Sequence, residues 1–167
     1  MRRTQPATAQ LVALLDEAYD HRSWHGTNLR GSLRGLTARQ AAWRPAPGRH
    51  SIAEIAIHAA YWKYVVRRKL VGDPRGSFPL AGSNWFPLDG SIDEREWKTH
   101  LALLAQQHRL LRDAVTRLSD DILEQQLGGG KLTRAAYIRG VAAHDLYHAG
   151  QVQTIKALWR SRAGGGS

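Results

Sequence analysis

Residues 133–160 read TRAAYIRGVAAHDLYHAGQVQTIKALWR. Apolar and aromatic residues recur at three–four spacing through Tyr137, Val141, His144, His148, Val152, Ile155 and Trp159, the signature of one long amphipathic helix starting at Thr133. His144 and His148 are four apart, so they lie one turn apart on the same face, at the centre of the stripe. A buried imidazole without a partner costs roughly 1–3 kcal/mol. A divalent ion would satisfy both rings at once, and so would carbonyls or neighbouring side chains. The H-x-x-x-H spacing alone does not choose between the two.

Outward from this segment, three more amphipathic stretches are separated by Gly- and Pro-rich breaks. A cleanly alternating stripe, Trp97, Leu101, Leu104, His108, Leu111, Val115 and Leu118, predicts a helix capped by Ser91-Ile92-Asp93-Glu94. A second capping box, Ser51-Ile52-Ala53-Glu54, opens a helix whose apolar face is Ile52, Ile55, Ala59, Trp62 and Val66, ended by Gly72-Asp73-Pro74. The first stretch spans about residues 8–36, and Gly26, Gly31 and Gly35 predict a kink or an early end there. No strand is expected. The fold class is all-α, a four-helix bundle, in which sites form from side chains facing the core. Residues 1–163 read as one domain and 164–167, Gly-Gly-Gly-Ser, as a flexible tail. The Gly- and Pro-rich loop to about residue 90, with Phe78, Trp85 and Phe86, is expected to wall a pocket together with the first helix.

His58 strengthens the metal reading. It follows Ile55 by three residues, so it points inward from a different helix. Three protein ligands leave a position open for water or substrate, the pattern of catalytic sites. Of the other five histidines, His25 and His108 stand on stripes without a matching pair and are candidates for the pocket wall or the core. His21, His50 and His100 read as exposed or near loop ends. Asp145 points about 100° away from His144, towards the surface or the space behind a ligand. Tyr147 is expected either to reach the pocket edge or, by preference, to pack between helices, and Gln151 either to bond a ligand or to point between helices.

The chain has 167 residues and no cysteine, which excludes disulfides, thiolate nucleophiles and Cys-held metals. There are 24 Lys+Arg against 14 Asp+Glu, a formal charge of +10. Such a balance admits a nucleic-acid-binding module. The clusters Lys63, Arg67, Arg68, Lys69 and Lys156, Arg160, Arg162, however, sit near helix ends and read as solvated faces. Gly128-Gly129-Gly130-Lys131 lacks the spacing of a phosphate-binding loop and reads as a linker. No apolar run suits a membrane span or a secretory leader, so a cytoplasmic location is expected.

Residues 36–48 (LTARQAAWRPAPG), 51–58 (SIAEIAIH) and 144–152 (HDLYHAGQV) together resemble the DinB/YfiT-like superfamily. The resemblance covers nearly the whole chain. It implies an up-down-down-up four-helix bundle and a divalent metal, commonly zinc or nickel, held by His58, His144 and His148. It also implies a homodimer, and a small-molecule enzyme: an S-transferase or isomerase using a low-molecular-weight thiol, or a hydrolase. A non-catalytic, metal-stabilised dimeric scaffold is the competing reading. One departure stands at the cap of the second helix, where the family often has Trp and this chain has His50.

Overall fold

The computed structural model describes residues 6–162. The tail expected at 164–167 lies outside them. Four long helices, α1 (Ala7–Tyr19), α4 (Ile52–Val71), α5 (Glu94–Thr116) and α6 (Arg134–Ser161), pack together with two short ones, α2 (Leu29–Leu33) and α3 (Ala38–Ala42). Among the described residues there is no strand, as expected; a lone antiparallel bridge joins Gln126 to Thr133. None of these helices is long and apolar enough to cross a membrane.

The first expected helix does end early. α1 stops at Tyr19, and the chain runs through Gly26, with φ of +94°, to Asn28. Asn28 caps α2 by accepting from the Gly31 amide at 2.8 Å. The capping pair Thr37 and Gln40 then starts α3.

α4 begins at Ser51, as the capping box predicts. Its first half is buried on every side, Ile52 to Ala60, because α3, α5 and α6 all pack against it. α5 begins two residues later than expected. The cap is Asp93, which accepts from the Glu96 amide at 2.8 Å while Glu96 accepts from the Asp93 amide at 2.9 Å. Glu94 is used elsewhere: it accepts from the Ala38 amide at 2.8 Å and so fastens the start of α3 to α5.

The core has two apolar layers. One gathers around Ile52, Trp97, Leu104 and Val152, the other around Leu15, Leu111, Ile138 and Val141. Between them lies a polar layer that overturns two expectations. Lys63, placed by the sequence on a solvated face, is 0% exposed, and Asp145, placed at the surface or behind a ligand, is 0% exposed too. They form an ion pair. Lys63 also lies 3.4 Å from His108 Nδ1, and the His108 ring stacks on Tyr19 at 3.9 Å. Burial, then the nearby Lys63 and Arg112, hold His108 down at about 2, so it is neutral. Burial pushes the Asp145 carboxyl up to about 6 against the pull of Lys63.

Candidate metal centre

α4 carries His58 and α6 carries His144 and His148 to one point. His58 Nε2 and His148 Nε2 each lie 3.0 Å from His144 Nε2. His58 Nδ1 is 2.7 Å from the Asn84 carbonyl oxygen, which can only accept, so that nitrogen donates. His148 Nδ1 likewise donates to Gln151 Oε1 at 2.7 Å. Both Nε2 atoms therefore present lone pairs to His144 Nε2. A single proton there could answer one of them and not the other. His144 Nδ1 is itself buried and without a hydrogen-bond partner.

A cation answers all three lone pairs. Bonds of about 2.0–2.1 Å to a tetrahedral ion set nitrogens about 3.3 Å apart, close to the spacing here. The rings are also in the right charge state. Burial, then repulsion from His148 and His58, holds His144 down at about 3. Burial brings His148 to about 4 and lowers His58 against the Asn84 bond. Neutral imidazole is the ligating form. The donor set fits a divalent ion, and these three are a group among the described residues able to hold one.

The site opens into a pocket of about 940 Å³. One wall is Trp85, whose ring stacks on His58 at 3.8 Å and on His50 at 3.5 Å. The aromatic loop therefore walls the pocket as expected, through Trp85. Phe78 and Phe86 instead pack with Tyr61 on the other side of the loop. The first helix contributes nothing to the lining. Residues 45–50 and the α6 side chains Gln151, Thr154, Ile155 and Leu158 take its place. Gly150 also lines the pocket, and a Cβ there would meet nothing within 4 Å, so its role is an open wall and not close packing.

Both wall segments are tied to α4 by Glu54, which is 1% exposed. Its carboxylate accepts from the Ser51 and Leu88 amides at 2.9 and 3.0 Å and from the Arg44 guanidinium. Burial alone would raise this carboxyl; those bonds outweigh it and hold it below the usual range.

The remaining site expectations divide. Gln151 bonds a candidate ligand, one of its two expected roles. Tyr147 takes the pocket edge, the less favoured of its two expected places: it is 64% exposed and its Oη accepts from Gln151 Nε2 at 3.1 Å. His50 is at the pocket rim. His25 is exposed in the loop after α1 and joins no pocket wall, because the helix that would have turned it inward has already ended. His108 belongs to the polar layer of the core. His21 is exposed and bonded to Asp20, and His100 is half-buried on α5. Asn84 had no sequence signal, since a backbone carbonyl is a property of every residue. Its φ of +63° marks it in the structure.

A model of the DinB superfamily matches residues 20–152, more than half of the chain. The chain belongs to the DinB superfamily. Comparison with curated proteins finds no match. Among solved structures, this DinB chain is similar to a conserved protein from Enterococcus faecalis, with a TM-score of 0.69 and 15% identity over 93% of this chain and 98% of that one. That likeness is one of fold.

Proposed function

We propose that this protein is a divalent-metal-dependent enzyme acting on a small molecule, with His58, His144 and His148 as the metal ligands. The observation that carries the reading is the convergence of three neutral imidazole Nε2 atoms, two with lone pairs fixed by Nδ1–H bonds, in the lining of an open pocket. Zinc or nickel suits the three-imidazole donor set. A divalent ion held there supplies Lewis acidity, lowering the pKa of a coordinated water or thiol towards neutrality.

The chain's own residues do the rest. Asn84 and Gln151 fix the orientation of two ligand rings. Trp85 shields the flat face of His58 from water. No Asp or Glu lines the pocket, while Arg49 does, so the pocket favours an anionic substrate. The chain has no cysteine, so a thiol nucleophile would come from a low-molecular-weight thiol. An S-transferase using such a thiol is the leading reaction, and a hydrolase the second, since the same centre can activate water. We place the enzyme, as a homodimer, in the cytoplasm.

The test is metal content by mass spectrometry on untagged protein purified without added metal, for the wild type and His144→Ala. About one ion per chain, lost in the variant, supports the ligand set. No ion in the wild type, even after reloading with zinc or nickel, overturns it. A screen of electrophiles with and without small thiols then separates the transferase from a metal-stabilised scaffold.

A further inference from the structure

On the opposite side of the 75–84 loop lies a second cleft, of about 950 Å³, which shares no residue with the metal pocket. Its floor is the outer face of α4 and its roof is the loop. The loop is pinned at both ends. The Gly76 and Ser77 amides donate to Tyr64 Oη at 3.2 and 3.3 Å, and Trp62 Nε1 donates to Asn84 Oδ1 at 3.0 Å. The gap between the pins is therefore held open by the fold and is of a size that takes small organic ligands.

The cleft is cationic. Arg68, Lys69 and Arg75 line it, and no Asp or Glu does. The nearby Asp73 carboxylate is bonded to Arg67 at 2.9 Å. Arg68 donates to the Asp73 carbonyl oxygen at 3.1 Å, but its Nε is buried with no partner. Arg75 has no hydrogen bond or ion pair among the described residues. Two guanidinium groups lining one cleft, one of them with no donor engaged, suit a carboxylate, sulfonate or phosphate. Part of the wall is aromatic: Tyr61 and Phe78 meet edge to face at 5.3 Å, and both line the cleft. Ring faces at this position suit a planar ring.

We propose that this cleft is a second ligand site, taking a small aromatic anion whose charge is read by Arg68 and Arg75 and whose ring lies against Tyr61 and Phe78. The site is independent of the metal reading, and its test needs no metal and no turnover.

The experiment is a fluorescence titration of the full chain with 8-anilinonaphthalene-1-sulfonate. The uncharged N-phenyl-1-naphthylamine, the same rings without the sulfonate, serves as reference. A saturable site that depends on Arg75 is expected, with affinity at least tenfold weaker for the uncharged dye. Arg68→Ala/Arg75→Ala should weaken the sulfonate at least tenfold. Arg75→Ala alone, whose side chain holds nothing else in place, should shift it the same way and keeps the test standing if the double variant fails to fold. Arg95→Ala, on the exposed side of α5 and in neither pocket, should change nothing. Unchanged affinity in the Arg75 variants, equal binding of the uncharged dye, or loss of binding in Arg95→Ala would each overturn the proposal.

Discussion

Replacing Lys63 by Met tests the polar layer directly. Lys63 and Asp145 are both 0% exposed, and Asp145 Oδ1 has no hydrogen-bond partner. The ammonium is thus the main compensation for a carboxylate that has left water entirely. Met keeps the length of the side chain and removes the charge, so little of the effect is a cavity. Breaking one side of a buried pair costs about 3–5 kcal/mol, because the other charge stays buried and uncompensated. In a chain of this size that is a fall in Tm of roughly 6–20 °C. The assay is urea unfolding followed by circular dichroism at pH 7 on metal-free protein, with the m-value checked for constancy. Adding Asp145→Leu should return most of the loss, since an apolar pair of similar volume carries no desolvation penalty. A single variant within about 1 kcal/mol of wild type would refute the reasoning, and so would a double variant no better than the single.

Acid should destabilise the metal-free protein in a way that His108 reports. Its folded pKa, about 2, lies below the unfolded value, so the unfolded chain binds the extra proton as pH falls below about 6.5. This histidine's contribution is full above pH 6.5 and is lost on acidification at up to about 1.4 kcal/mol per pH unit. His108→Phe should flatten the slope of urea stability between pH 7 and 4.5 by that share, and an unchanged slope would count against a neutral buried ring. Gln151→Ala removes the acceptor of His148 Nδ1 and should weaken zinc affinity by about 10–100-fold in a chelator competition, with the fold intact. Trp97→Ala, at a site 2% exposed whose indole N–H donates to the Leu36 carbonyl oxygen, should cost about 3–5 kcal/mol in the same unfolding assay.

The parts of the fold that could be read from the sequence are those whose causes are local. The α6 stripe and the Ser51 capping box each complete their pattern within a few residues, and they brought His58, His144 and His148 forward as a set. Thr37 and Gln40 are equally local, but the helix they open is one turn long and carries no stripe to mark it. What stayed hidden depends on distant partners. In SIDERE, residues 91–96, Ser91 with Glu94 and Asp93 with Glu96 both match a capping box. The choice is made by Glu94 reaching Ala38, 56 residues away. Lys63 looks like its half-buried neighbour Arg67 and its exposed neighbour Lys69 until Asp145, 82 residues away, is placed beside it. The Trp85 sandwich needs the loop to fold back over His58, and no periodicity encodes that.

Glu54 makes the two walls of the metal pocket mechanically one. The 45–50 segment reaches this carboxylate through Arg44, whose guanidinium also donates to the Arg49 carbonyl oxygen at 2.7 Å, and the segment after Trp85 reaches it through the Leu88 amide. Neither wall has to be released separately for the pocket to gape. Loss of the one anion takes a bond from both walls at once, and its lowered pKa keeps that tie ionised well into mildly acidic conditions. The walls around the three histidines thus share one anchor in the first turn of the helix that carries one of them.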